Sequence, residues 1–238
     1  KAFQLQSLLR AADWWAGVEA VSGLPSGYAR IGRLQPLADA AAVTLAQTRA
    51  EGAAQLWQGQ ALWQVVPATG ADWEPATPVG LMIHDTLSAR INPRMALASL
   101  AKALQTKGVQ IVLGEAPDEG AVIWATGTAG LEALSQDLNQ AIGRGVKGQA
   151  VLLCLAGYES RPQLFIDGLH IVPHADGTVA IGSTSENTWD DPTAIDAGCD
   201  ALHAAALAAL TTSTTTTYAA ALTALSAGPG AALATGSA

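Results

Sequence analysis

The sequence predicts a mixed fold, α/β in one part and α+β in another: the remnant of a parallel sheet covered on both faces, joined to an antiparallel sheet. Three observations carry this. Residues 121–125 read AVIWA, apolar on both faces, the pattern of a strand sandwiched between helical layers. Residues 164–187 read LFIDGLHIVPHADGTVAIGSTSEN, in which Asp167-Gly168 and Asp176-Gly177 separate three apolar runs as in an antiparallel meander. Between these lie stretches with apolar residues at helical spacing and with recognisable caps.

The bulk numbers agree with a globular chain. Half of the 238 residues are apolar, enough for one large domain or two modest ones with a real core. The charge balance of 12 basic against 20 acidic residues gives −8, with no cluster of Lys and Arg. A phosphate backbone needs such a cluster, so nucleic acid is not an expected partner. Cys154 and Cys199 are too few and too far apart for a disulfide scaffold or a metal site. Cys154, inside VLLCL, reads as a small buried hydrophobe, and the cytoplasm as the compartment. No apolar window of about 18 residues predicts a transmembrane segment. The chain opens at Lys1 directly on a helical pattern, without signal-peptide features, and reads as a sequence starting inside a longer protein.

Taken in order, residues 3–22 place Leu5, Leu8, Leu9, Ala12, Trp15, Ala16 and Val18 at helical spacing, a stripe expected to face a core. A Gly/Pro/Ser break precedes a short strand over 28–34, in which Gly32 marks a bulge or a close approach. Residues 39–60 are Ala-rich and helical, with an interruption expected at Gly52. Residues 62–66 fit a strand or a helical turn, 67–78 a loop, and 81–83 an apolar run before a polar turn at 84–86. Asn92 as N-cap, Pro93 at the first helical position, the stripe Leu97, Leu100, Ala101 and Leu104, then Lys107 and Gly108, predict a helix. Strands are expected at 109–113 and 121–125, and a ligand beyond the end of the latter, at Thr126 to Gly130. A helix over 131–142, a strand over 149–155, the meander, and a helix from Asp191 striped by Ile195, Leu202, Ala206 and Leu210 follow. Asp190, Asp191 and Asp196 suit the positive end of that last helix. Residues 211–238 are Thr, Ala, Ser and Gly with little else, and no chemistry is assigned to them.

Two motifs fail on context. Residues 143–148, GRGVKG, match G-x-G-x-x-G, but a helix precedes and a strand follows, the reverse of a dinucleotide fingerprint. His170 and His174 are four apart, yet Pro173 excludes a helix, and four strand residues span about 13 Å, too far for one ion. An exposed His174 and a partly buried His170 are expected instead. No G-x-S-x-G, H-E-x-x-H or P-loop occurs.

Several segments together resemble the D-amino-acid oxidase and glycine oxidase family of FAD-dependent oxidoreductases. Arg90 to Arg94 (RINPR), with its Leu-striped helix and Gly108-Val109, looks like the family's V-D-P…L…G-V segment, and AVIWATG over 121–127 is similar to its strand beside the FAD. Gly32-Arg33-Leu34 is similar to a family strand. Val146 to Gln149, then His170 to Pro173, Asp176-Gly177 and Ile181 to Thr184, resemble the substrate-domain series rGq…YivPr.dG…iGaT, with His170 and His174 where the family has Tyr and Arg. The family's G-x-G-x-x-G βαβ unit and its later Arg-Pro segment, whose Arg forks onto a substrate carboxylate, have no counterpart in this sequence.

The resemblance implies an FAD-binding domain and an antiparallel substrate domain roofing the flavin. Residues 1–90 would be mainly substrate domain, 91–142 part of the FAD domain, 143–210 the antiparallel sheet and helix, and 211–238 a low-complexity tail. The implied reaction is oxidation of a C–N bond in a small amine or amino acid by hydride transfer to FAD, leaving an imine that hydrolyses. FAD is the expected cofactor of the full-length protein. Ala125, Thr126 and Gly127 would approach it through backbone, and Lys147 and Gly148 would lie near its ring. His170 would be the catalytic residue, positioning substrate or accepting a proton. The alternatives are an FAD-dependent oxidoreductase of another substrate class, or a non-catalytic α+β binding module. Oligomeric state is left open.

Overall fold

The structure, a computed structural model, describes residues 2–115, 117, 119–211 and 232–237. Its elements are α1 (Ala2–Ser22), β1 (Arg33–Pro36), α2 (Ala40–Trp57), β2 (Trp63–Pro67), β3 (Leu81–Asp85), α3 (Pro93–Thr106), α4 (Gly127–Asp137), β4 (Lys147–Cys154), β5 (Gln163–Ile166), β6 (Leu169–Pro173), β7 (Thr178–Gly182), α5 (Ala197–Thr211) and β8 (Ala232–Ser237). The strands form one sheet of order β2-β3-β1-β5-β6-β7-β4-β8. The fold is mixed, as expected, but among the described strands only the β1–β5 pair is parallel.

The meander forms where its turn chemistry put it. Asp167 and Gly168 both take positive φ, 49° and 86°, the requirement of a two-residue hairpin turn. At the second turn Asp176 Oδ1 accepts hydrogen bonds from the Thr178 amide (3.1 Å) and hydroxyl (2.6 Å). Register then puts Leu164, Ile171, Ile181 and Val151 side by side on one face. With Trp73, Cys199 and Leu202 they make the main core. Trp73 comes from the stretch read as a loop; its indole Nε1 donates to the Pro162 carbonyl at 2.6 Å and its ring stacks on Tyr158. A smaller cluster of Leu37, Ala46 and Ile83 lies under α2. α2 runs without interruption through Gly52, capped by Asp39.

Several expectations are corrected. Residues 109–113 and 121–125 are not strands: no described strand flanks them, so their backbone has no ladder, and Leu113 and Ile123 are 96% and 90% exposed. His84 and Asp85 belong to β3 rather than to a turn. The helix expected over 131–142 spans Gly127–Asp137. The last helix begins at Ala197, because Asp191 closes a local turn onto Thr193 while Asp196 accepts from the Gly198 amide. The side chains of Ala206 and Leu210, and the tail apart from Thr211 and β8, lie outside the described residues. α3 has the expected caps, but it buries Ala96, Ser99 and Ala103 and leaves Leu97 exposed. Small residues win because α1 approaches closely: the Ser22 and Ser99 hydroxyls meet at 2.9 Å. The stripe of α1 is correspondingly only half-buried at Leu5, Leu9 and Trp15, with Leu8, Ala12 and Ala16 exposed. Cys154 is exposed and Cys199 buried, since Cys154 falls on the opposite parity of β4 from Val151 and Leu153.

Gly32 is the close approach foreseen. Its φ is +74°, and a Cβ there would lie 2.6 Å from the Asp85 carbonyl oxygen. Gly52 has nothing within 4 Å of such an atom. Gly32→Ala is therefore expected to lower the unfolding free energy by more than about 1 kcal/mol, and Gly52→Ala to raise it by about 0.5–1 kcal/mol. Urea unfolding of the two variants checks both signs.

Candidate functional site: the open face of the sheet

Opposite the aliphatic core, the same strands present a second face. Register aligns Phe165, His170, Gly182 and Ala150 in one row and Val172, Ala180 and Leu152 in the next. Residues directly opposite one another share a face, so both rows point away from Ile171 and Ile181. The floor is low because its residues are small: a Cβ at Gly182 would lie 3.2 Å from that of Ala150. A cleft of about 520 Å³ lies over Gly148, Ala150, Leu152 and Ala180. Asn92 and Arg94 at the start of α3, and His174 and Asp176 from the β6–β7 turn, line its side. A flat apolar floor with polar groups at one edge suits a planar ring system.

That edge is clasped by Asn92. Its Oδ1 caps α3 by accepting from the Arg94 and Met95 amides at 3.1 and 3.3 Å, and its Nδ2 donates to Asp176 at 2.7 Å. Buried Arg90 donates to the Pro173 carbonyl on the same turn. His174 is the buried histidine, 6% exposed, and its Nδ1 has no partner among the described residues. Burial pushes its pKa down; Asp176 opposes and Arg90 adds to this. Burial alone would raise the Asp176 carboxyl, but hydrogen bonds from Thr178 and Asn92, with His174 beside it, leave it below its ordinary value.

His170 is exposed, so the expected burial of the two histidines is reversed. The cause is parity: His170 points to the open face, while His174 sits in the clasped turn. The His170 ring lies 4.6 Å from that of Phe165, and the Arg33 guanidinium sits over Phe165 at 5.7 Å. Desolvation, then the Arg33 charge, lowers the His170 pKa below its ordinary value.

Lys147 and Gly148 are neighbours on β4 and therefore face opposite ways. Gly148 lies on the open face, but the Lys147 ammonium is buried on the other, paired with Asp196 and, at 3.6 Å, with Glu186. Gln149 Nε2 donates to Glu186 at 2.8 Å and to Asp196 at 2.7 Å, and Thr184 Oγ1 donates to Glu186 at 2.7 Å. The hydrogen bond to Asp196 leads the causes that raise the Lys147 pKa. Reciprocally, Lys147 and Gln149 hold Asp196 at about 2. Lys147 thus acts from behind the floor, tying the start of α5 to β4. The sequence reading missed Gln149, Glu186 and Arg33 as site groups. Arg33 and Gln149 stood in family-like runs, Gly32 to Leu34 and Val146 to Gln149, while nothing local marks Glu186.

Ala125, Thr126 and Gly127 come together elsewhere. They line a cleft of about 870 Å³ along α4, with Trp124, Gly130 and Leu134. Gly127 takes φ +60°, and Thr126 precedes the helix without a side-chain cap. A Cβ at Gly130 would lie 1.5 Å from Thr126 Oγ1, so glycine there leaves the threonine room over the first turn. Neither His170 nor Gly148 lines this cleft. Among the described residues no cluster of His, Cys, Asp or Glu could hold a metal ion, and no helix is long and apolar enough to cross a membrane.

The strands thus form a sheet with an aliphatic face against the core and a flat, small-residue face left open. The sequence profile of the DAO family, described as FAD dependent oxidoreductase, matches residues 2–228, and the chain belongs to that family. Among solved structures it resembles glycine oxidase from Geobacillus kaustophilus at 18% identity and a TM-score of 0.63, covering 85% of this chain and 60% of that one. Iminodiacetate oxidase from a Chelativorans species matches at 18% identity and TM-score 0.63, over 88% and 64% of the two chains. L-proline dehydrogenase from P. horikoshii matches at 13% identity and TM-score 0.63, over 97% and 65%. The chain thus spans under two thirds of the length of these relatives. No curated protein sequence matches it.

The Lys147 network sets an acid limit. Asp196 is held at about 2 against an ordinary 3.8, so the native state binds fewer protons than the unfolded one. Its contribution to stability is full above the unfolded pKa and is lost as pH falls through the folded one. Unfolding in urea across pH should show stability falling between about pH 4 and pH 2. Asp196→Asn should flatten that limb, leaving a residual slope from Glu186.

Proposed function

We propose that the full-length protein is an FAD-dependent oxidoreductase that oxidises the C–N bond of a small amine or amino acid. The observation that carries this is the open face of the sheet: a small-residue floor with the low-pKa imidazole of His170 standing in its row. The names of the relatives, oxidases of glycine and iminodiacetate and a dehydrogenase of proline, support a small amino-acid or amine substrate. In this reading residues 143–210, with most of 1–90, make the substrate domain, and 91–142 belong to the FAD domain.

The residues present suit FAD at two places. The first turn of α4 offers backbone amides at its positive end, beside a glycine with open space around it, which suits a diphosphate. Ala125, Thr126 and Gly127 would hold that part. Gly148, Ala150 and Gly182 would hold the planar ring, because larger side chains would raise the floor. Bound flavin supplies the hydride acceptor.

The chain's own residues have three tasks. His170 stays neutral at neutral pH, so its imidazole can take a proton from a substrate ammonium and leave a reactive free amine. The Asn92–Asp176 and Arg90–Pro173 hydrogen bonds hold the cleft wall. Lys147, through Asp196 and Gln149, fixes β4 from behind and so positions Gly148.

Purified full-length protein should be yellow and should bleach anaerobically with amines or amino acids. His170→Ala should lower kcat/KM by about 10²-fold with flavin content unchanged. In the wild type, activity should fall on the acid side with an apparent pKa below about 6.5. A colourless protein, or a flavin unmoved by any amine, would sink the reading.

A further inference from the structure

The exposed His170 imidazole leans on a row of side chains that runs back to a buried anchor. Strand order puts β5 between β1 and β6, and register puts Phe165 of β5 on one face with Arg33 and His170. The His170 ring lies 4.6 Å from that of Phe165, tilted by 42°. The Arg33 guanidinium sits over the Phe165 ring at 5.7 Å, within the range of a cation–π contact. Arg33 Nε lies 3.0 Å from Asp85 Oδ2, and the Asp85 side chain is 3% exposed. Ser88 fixes Asp85 in turn: its amide donates to Oδ1 at 2.7 Å and its hydroxyl to Oδ2 at 3.0 Å. Across the other ladder His170 faces Gly182, which offers no side chain. Its lateral support therefore comes from Phe165.

We propose that Phe165 and Arg33 are positioning residues for His170: the guanidinium seats the Phe165 ring, and the ring holds the imidazole in the orientation that meets substrate. The inference rests on the function proposed above, which gives His170 its task. An exposed imidazole without a neighbour spreads over several staggered rotamers, and only some of them aim a ring nitrogen at a bound amine. An aromatic neighbour favours those in which the two rings meet. Arg33 also contributes its charge. Among the described residues it and Asp85 are the charged groups beside His170 on this face; Gly182 on β7 brings none, and Lys147 with Asp196 and Glu186 lies behind the floor. Asp85 is one strand further off, so the cation dominates at the imidazole. That charge favours the neutral ring and adds to the desolvation that lowers its pKa.

The test uses full-length protein and two readouts: the His170 titration, followed by NMR of histidine-labelled protein and assigned by its loss in His170→Gln, and steady-state kinetics across pH. Phe165→Leu removes the ring and keeps apolar bulk. Arg33→Met/Asp85→Asn removes both charges without leaving a buried carboxylate unpaired. Both should raise the His170 pKa and carry the acid limb of kcat/KM up with it. Phe165→Leu should also lower kcat at least about tenfold by misplacing the imidazole, with KM within about twofold and flavin content unchanged. Phe165→Tyr, which keeps the ring, should match the wild type in both readouts. A His170 pKa unmoved by either variant would overturn the inference, and so would a Phe165→Tyr enzyme as impaired as Phe165→Leu. Phe165→Leu leaves Arg33 and Asp85 paired, so the test stands even where the double variant does not fold. Activity lost in His170→Ala but unchanged in Phe165→Leu would remove the positioning role and leave the proposed reaction standing. A His170 titration that shifts as stated, in a protein whose flavin no amine reduces, would sink the reaction and leave the stack standing.

Discussion

The structure depends on the register of β5, β6, β7 and β4. Leu164, Ile171, Ile181 and Val151 are nearly inaccessible and lie opposite one another. A slip of one residue in any strand would turn its whole aliphatic set outward. Burying a Leu or Ile side chain contributes about 1.5–3 kcal/mol, so the register is held by the core and not by the open face. The other face is free to carry Gly148, Ala150, Ala180 and Gly182, residues that add little packing energy and leave a flat surface.

Alternation also separates two kinds of charge. Lys147 faces the core side, where Asp196, Glu186 and Gln149 satisfy it. One broken partner there would leave a buried ammonium uncompensated, which is far more costly than losing an exposed ion pair. Arg33 and His170 face the open side, where the guanidinium lies over the Phe165 ring and the imidazole lies against it. Groups that fix the strand and groups left on the open face thus sit on opposite parities of the same sheet. The cleft wall comes from Asn92, one residue that both caps α3 and grips Asp176, so helix and hairpin are positioned together.

How much of this was legible depends on whether the signal was local. The ends of β6 and β7 and the caps of α3 follow from residues within a few positions of each other, through φ preferences and side-chain-to-backbone bonds, whereas the tight spot at Gly32, marked locally by a glycine in a strand pattern, is made by Asp85 some 50 positions on. The runs at 109–113 and 121–125 carry an equally clear strand pattern and are not strands, because a strand exists only with a partner to complete its hydrogen bonds. In α3 the Leu stripe had the right period and the wrong face; the close approach of α1, set by Ser22 and Ser99, selected alanine and serine instead.

The site shows the same division. His170 stood out in the family-like run around the meander but was expected to be partly buried, and the structure leaves it exposed. Which histidine is buried was not readable, since that depends on Arg90 and Asn92 arriving from some 80 positions earlier. Arg33 meets Phe165 and His170 only because β1 lies beside β5, and Lys147 meets Asp196 across 49 positions. By itself the sequence determined the turns, the caps, the two-faced meander and a family likeness, all products of short-range sterics and alternation. The tertiary structure alone decided which charges share a face, because that depends on strand order, and strand order is a long-range property.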